Sequence, residues 1–312
     1  MHIVCVEPLM VTPEVMEELK SYYAELGHSC SVYQDRPGTQ KETAVRIRDA
    51  DVAVVTDLPM PRAVLEKAKH LKLLIFTSAA EGLVDVQACK ERGIVITHAQ
   101  GYSTYAAAEL AFGMMIFLFR HLVQAHDTMR TGIYELPYVG REIHGKTIGI
   151  IGLGAVGIKV ARMATTLGCK ILGYDMMPIA EAFLIGVTYV KLEQLFQESD
   201  IVSIHCPLTP GTKGMITYDH LSRMKPHAVL INIARGSVVD TDALVQALQE
   251  GKLAGAGIDT AEEETLDPHH PLLSFDNVII TPHIGYRTHE SYRRRAEKIR
   301  DTIDSWLPTA AT

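Results

Sequence analysis

The run Thr147-Ile-Gly-Ile-Ile-Gly152-Leu153-Gly154-Ala155-Val156-Gly157 decides the fold. An aliphatic, strand-like stretch passes through three spaced glycines into Lys159-Val-Ala-Arg-Met-Ala-Thr-Thr-Leu167, which has helical periodicity. In such a unit Gly152 permits the tight turn, Gly154 lets backbone amides approach a pyrophosphate, and Gly157 lets helix and strand pack closely. Ala155 and Val156 lie between them and are candidate contacts of the same ligand. The next aliphatic run, Ile171-Leu-Gly-Tyr174, ends at Asp175, close to the roughly 20-residue spacing at which an acid meets the adenosine ribose hydroxyls. A carboxylate there repels a 2′-phosphate, and Met176-Met177 supply no arginine to offset it, so NAD is expected rather than NADP.

Working outward, short β-branched or aliphatic runs alternate with helical patterns along the whole chain. Upstream they are Ile3 to Val6, Cys30 to Tyr33, Val52 to Thr56, Leu73 to Thr77 and Val95 to Thr97. Downstream, besides Thr147 to Ile151 and Lys170 to Tyr174, they are Val187 to Val190, Ile201 to His205, Val229 to Ile233, Ala256 to Asp259 and Val278 to Ile280. This rhythm predicts two doubly wound parallel sheets of the α/β class. A single long helix is expected from about Ala106 to Arg130, ended by Gly132. The tail beyond Thr288 reads as a charged amphipathic helix, with Arg293, Arg294, Arg295, Lys298 and Arg300 among its polar positions, packing back on the first domain. The expected domains are therefore 1–98 with 287–312, and 99–286.

Composition excludes several classes. A hydrophobic content of 47% with 21% charged residues reads as a soluble globular protein, and 312 residues suit two domains. A net charge of −7 leaves no basic footprint for nucleic acid. Five cysteines without a C-x-x-C favour neither a disulfide framework nor a zinc site and suit the cytoplasm. The N-terminus meets Glu7 too early for a signal peptide, and the apolar stretch Leu110 to Phe119 is about half the length of a membrane span. The adjacent His269-His270 pair does not easily face one ion, so no metal is expected.

Three residues carry the chemistry. Arg235 follows the apolar run Ala228 to Ala234, Glu264 follows Ala254 to Asp259, and His283 follows Val278 to Thr281. All three therefore reach strand ends, where doubly wound sheets place their ligands. An arginine grips a carboxylate with its planar fork, and a histidine backed by a carboxylate passes a proton near neutral pH. That equipment suits reduction of a 2-keto acid.

Several ordered stretches reinforce this reading: the glycine fingerprint, Asp200-Ile-Val-Ser-Ile-His-Cys-Pro-Leu-Thr209 with Thr212, Ile231-Asn-Ile-Ala-Arg-Gly-Ser-Val-Val-Asp240, Gly255-Ala-Gly-Ile-Asp259, His270-Pro271-Leu272 and Pro282-His283-Ile284-Gly285. Along nearly its whole length the chain resembles the D-isomer-specific 2-hydroxyacid dehydrogenases. The resemblance implies a flavodoxin-like substrate domain and an NAD domain, with the active site in the cleft between them, hinges near Gly101 and Gly285, and a homodimer built on the helix after Thr104, whose apolar Met114 to Phe119 face equally suits the domain's own core.

Carried over residue by residue, it gives Arg235 the substrate carboxylate, His283 the role of acid in reduction and base in oxidation, and Glu264 the orientation of the imidazole. Asp259 matches the position that binds the nicotinamide carboxamide. His205, Pro207 and Thr212 match the wall around the nicotinamide and its ribose, Cys206 and Ala234 are further cofactor contacts, and Thr104 matches a contact to the cofactor phosphate. The substrate turn aligns the amides of Ala79 and Ala80, with Tyr102 lining the substrate. The pattern departs at Ala80, where glycine is usual, at Glu81, which replaces an apolar residue, and at His98-Ala99-Gln100-Gly101, which replaces the usual Asn-x-Pro-Gly. These departures lie on the substrate side. The implied activity is NAD-dependent interconversion of a small 2-keto acid and its D-2-hydroxy acid, the alternative being an NAD-sensing, corepressor-like binding protein.

Overall fold

The computed structural model describes residues 1–78, 82–135, 137–263 and 266–307. The chain forms two compact units, Met1–Ser103 with Arg287–Thr312 and Thr104–Tyr286. In the first, β1 (His2–Cys5), α1 (Pro13–Glu25), β2 (Ser29–Val32), α2 (Gln40–Ile47), β3 (Val52–Val55), α3 (Arg62–Leu65), β4 (Leu73–Phe76), α4 (Val86–Glu91) and β5 (Val95–His98) alternate strictly. The strands form one parallel sheet in the order β2-β1-β3-β4-β5. Strands β3 and β4 are buried at every position, as expected of a sheet covered on both faces.

The second unit opens with α5 (Thr104–Arg120) and α6 (Leu122–Arg130), then continues as β6 (Thr147–Ile151), α7 (Ala155–Thr166), β7 (Lys170–Tyr174), α8 (Ala180–Ile185), β8 (Thr188–Tyr189), α9 (Leu192–Glu198), β9 (Ile201–Ile204), α10 (Tyr218–Ser222), β10 (Val229–Asn232), α11 (Thr241–Gln249), β11 (Gly255–Ile258) and β12 (Val278–Ile280). Its seven-stranded sheet runs β12-β11-β10-β9-β6-β7-β8, and all its pairings are parallel. The order reverses between β6 and β9, which makes a topological switch point at the glycine turn. The last helix, α12 (His289–Trp306), belongs to the first unit. Its Ile299 and Ile303 pack with Ile3, Cys5, Val52 and Val54 of the first sheet.

Two expectations need correction. The single helix over Ala106 to Arg130 is broken at His121, which takes a left-handed conformation (φ 50°), and the two pieces bend by 59°. The carbonyl of Phe119 accepts from Arg141 N at 2.7 Å, and the His121 ring packs on Tyr138 at 4.7 Å. A returning loop thus takes the acceptor that the next helical turn would have used. Among the described residues no single helix is long and apolar enough to cross a membrane.

The second correction concerns Arg295, read as a polar-face residue but only 3% exposed. Its guanidinium donates to the carbonyls of Pro8 and Leu9 and lies 4.9 Å from the ring centre of Tyr292. Backbone acceptors and an aromatic face, rather than a carboxylate, make its burial tolerable.

Candidate active site

The glycine turn shows why each glycine is there. Gly152 sits at φ 90°, and a Cβ on it would collide with the backbone of His205 and Cys206 at the end of β9. A Cβ on Gly157 would overlap the carbonyl of Gly152, so α7 packs directly on the turn. Gly154, by contrast, has open space where a Cβ would stand. It is the N-cap of α7, followed by Ala155 and Val156 in the first turn. A free approach to helix amides with a favourable dipole suits a pyrophosphate. The Asp175 carboxylate, one residue past β7, accepts from Leu153 N at 2.6 Å and so holds the acid against the glycine turn. These residues fit a dinucleotide.

The wall beyond β9 is built of uncharged groups. His205 Nε2 lies 2.8 Å from Ser203 Oγ, Nδ1 is buried with no hydrogen-bond partner among the described residues, and burial pushes the imidazole down to about 3. It is therefore neutral at physiological pH. Burial raises the Cys206 thiol to about 11, which makes it an inert packing group rather than a nucleophile. Thr212 donates to the carbonyl of Pro207 at 2.6 Å and accepts from Thr209 N at 2.8 Å, closing the loop that follows. Thr104 is the first residue of α5.

Three strand ends further along the same sheet converge. A cleft of about 360 Å³ is lined by Arg235, Asp259, Thr260, Thr281 and His283, with Leu208 and Leu273 among its apolar walls. Arg235 and His283, more than forty positions apart in sequence, thus share one cavity. Arg235 is exposed and donates from Nη1 to the carbonyl of Ala234 at 2.7 Å. A Cβ on Gly236 would overlap the backbone of Ala261 and Glu262, so the arginine turn lies flat against the acidic loop.

His283 has a left-handed backbone (φ 52°), a costly conformation for a residue with a side chain. Its amide donates to the carbonyls of Asp259 (2.8 Å) and Thr281 (2.9 Å), and its ring meets Tyr286 edge-on at 5.3 Å. The Asp259 carboxylate, only 1% exposed, accepts from Thr281 Oγ1 (2.6 Å), Ile284 N (2.8 Å) and Gly285 N (2.8 Å). A carboxylate offers about four lone-pair sites, so three are spent on the histidine turn and one remains.

The third catalytic candidate, Glu264, lies outside the described residues, as do Ala79, Ala80 and Glu81 of the substrate turn. Around that turn, Ser78 donates to the Thr56 carbonyl and Gln100 Nε2 to the Ser78 carbonyl at 3.3 Å. Tyr102 is 7% exposed, its carbonyl held by Arg294 Nε at 2.9 Å. His98, the first of the departures there, packs its ring on Phe76.

Reading the sequence alone passed over Asn232, which ends β10 with its amide turned back on the arginine turn. The available signal was a lone polar residue in an apolar strand. Ser203, fully buried beside His205, was missed for the same reason.

Comparison with known proteins adds independent findings. Residues 112–285 match the model of the family described as D-isomer specific 2-hydroxyacid dehydrogenase, NAD binding domain. A glyoxylate reductase of Thermofilum pendens is 40% identical over 273 residues, covering 85% of this chain and 80% of that protein. A hydroxypyruvate reductase of Thermotoga maritima is 38% identical over 252 residues, covering 80% and 82%. The solved structure of D-2-hydroxyisocaproate dehydrogenase superposes with a TM-score of 0.88 at 27% identity, covering 100% of this chain and 98% of that one.

Proposed function

The chain belongs to the D-isomer-specific 2-hydroxyacid dehydrogenases, and from that premise we propose that its substrate is a small keto acid of the glyoxylate or hydroxypyruvate kind. It is an NAD-dependent oxidoreductase that interconverts keto and hydroxy acids; a purely NAD-sensing role is not favoured. The observation that carries the assignment of roles is the shared cleft of Arg235 and His283.

In this reading Arg235 pairs its fork with the substrate carboxylate and draws charge from the adjacent carbonyl. His283 donates a proton to the carbonyl oxygen during reduction and removes it during oxidation. Glu264 keeps the imidazole oriented and favours its protonated form. NADH supplies the hydride, and the protein's part is alignment and charge stabilisation. Gly152, Gly154, Ala155, Val156 and Gly157 would cradle the pyrophosphate, and Asp175 would take the adenosine ribose. The neutral His205, with Cys206, Pro207 and Thr212, would wall the nicotinamide end, and Asp259 keeps one lone pair for the carboxamide. In the first unit the backbone of Ala79 and Ala80 with Tyr102 would choose the side group.

We assign to a second copy of the chain the apolar surface of α5 and α6, where Phe117, Leu122, Val123 and Met129 are exposed. A homodimer fits that surface, and sedimentation equilibrium distinguishes it from a monomer. A cytoplasmic setting suits five thiols that are all free.

NADH oxidation measured over glyoxylate, hydroxypyruvate, pyruvate, phenylpyruvate and branched keto acids tests the substrate. The two small oxygen-rich acids are expected to give the highest kcat/KM; highest efficiency with a bulky apolar acid would overturn that choice. For the cofactor, NADH is expected to outperform NADPH, with Asp175→Ala narrowing the gap, whereas equal efficiency in the unmodified protein would refute the role of Asp175.

A further inference from the structure

We propose that Asn232 is a positioning residue for Arg235, its buried side-chain amide fixing the turn from which the guanidinium reaches the substrate carboxylate. The proposal rests on the reading of Arg235 given above. Asn232 is the last residue of β10 and only 2% exposed. An amide at that depth is tolerated only when both its ends are bonded. Both are, and to consecutive residues of the same turn: Oδ1 accepts from Ala234 N at 3.1 Å, and Nδ2 donates to the Arg235 carbonyl at 3.0 Å. The backbone carbonyl of Asn232 meanwhile accepts from Asp259 N at 2.9 Å. The main chain thus continues the sheet while the side chain shapes the turn that leaves it.

Two further contacts close the turn. The Arg235 carbonyl also accepts from Val238 N at 3.2 Å, which starts the single helical turn Gly236–Val238. On its other side Gly236 lies against Ala261 and Glu262 with no room for a Cβ. The backbone of residue 235 is therefore held from the strand side by Asn232 and from the loop side by Gly236, and the exposed side chain has only its bond to the Ala234 carbonyl to exchange for a ligand among the contacts described above. Fixing the backbone of a gripping residue lowers the entropy lost when the grip forms. Only an amide does both jobs here. Aspartate of the same shape could still accept from Ala234 N but would set a second acceptor against the Arg235 carbonyl, and alanine would leave both groups without their side-chain partner.

The test is a double-mutant cycle on the full chain, comparing the unmodified protein with Asn232→Ala, Asn232→Asp, Arg235→Ala and Asn232→Ala/Arg235→Ala. kcat and KM are measured for glyoxylate and hydroxypyruvate with NADH. Inhibition by oxamate, a non-reducible keto-acid analogue, and NADH affinity are measured in parallel. Either single change at Asn232 is expected to raise KM and weaken oxamate by about tenfold, while NADH affinity changes less than about twofold. Asn232→Ala is expected to add nothing once Arg235 is gone. An equal rise with and without Arg235, or no rise in either folded Asn232 variant, overturns the proposal. If Asn232→Ala does not fold, Asn232→Asp, alone and combined with Arg235→Ala, carries the same comparison. Should Arg235→Ala itself leave KM and oxamate unchanged, the reading of Arg235 fails and the proposal with it. A raised KM in Arg235→Ala with silent Asn232 variants refutes the proposal alone.

Discussion

After β10 the chain turns on a neutral side-chain amide, whereas after β12 it turns on a carboxylate borrowed from the neighbouring strand. Asn232 both donates and accepts, so the arginine turn closes without charge. Asp259 only accepts, gathering one hydroxyl and two amides of the Thr281–Gly285 turn, so the histidine turn closes around a buried carboxylate. The difference suits what each turn would present in the proposed roles. A guanidinium that has to recruit an anion is best left without a competing carboxylate in its own support. An imidazole that has to hold a proton gains from nearby negative charge. Strain follows the same division: Arg235 has ordinary extended dihedrals (φ −147°, ψ 136°), while His283 is left-handed and relies on its amide bonds to stay so.

The comparison can be broken most sharply at the histidine. His283→Ala is expected to lower turnover by about two to four orders of magnitude, the usual scale for losing a general acid or base. Fluorescence titration would show NADH affinity unchanged, since the glycine turn is untouched. A loss below tenfold would remove His283 from proton transfer.

Replacing the charge under that turn comes next. Asp259→Asn turns one acceptor into a donor facing groups that already donate, so it is expected to cost about 1–3 kcal/mol of stability, readable by urea denaturation. Turnover should fall with it, because the left-handed backbone at His283 loses its support. Unchanged stability and kcat would mean that the turn holds itself.

The smallest expected effect lies in the pH profile of Glu264→Gln. An anionic neighbour raises an imidazole pKa, and reduction needs the protonated ring, so losing the anion is expected to move the high-pH falling limb of keto-acid reduction by about one unit to lower pH. A limb that stays in place would remove Glu264 from the role given to it.

How much of this was legible in the sequence depended on what kind of interaction decides each feature. Strands β6 and β12 were delimited to the residue, because in a doubly covered sheet an aliphatic run between turn residues has no other stable use. The glycine turn was legible for a related reason: the collisions at Gly152 and Gly157 leave no alternative residue. The break at His121 was hidden, since no proline or glycine marks it and the competing partner, Arg141 N, arrives from twenty residues further on. Burial of Arg295 was hidden because its partners are backbone carbonyls, which every sequence has. For Asn232 and Asp259 the residues were visible but the partners were not. A side chain that clips a turn can be read only once the turn is folded. Ala79, Ala80 and Glu81 of the substrate turn and the catalytic candidate Glu264 fall outside the described residues, so their roles rest on the sequence.

The most direct test of the division between gripping and proton transfer is rapid mixing of preformed NADH complexes with increasing hydroxypyruvate, comparing the unmodified protein, Arg235→Ala and His283→Ala. The expected result is that Arg235→Ala needs at least about tenfold more keto acid to reach its plateau rate, while His283→Ala saturates near the original concentration but at a plateau lower by about two orders of magnitude or more. Variants that shift the same parameter by the same factor would contradict the account, as would an unmodified protein that consumes no NADH when the keto acid is added.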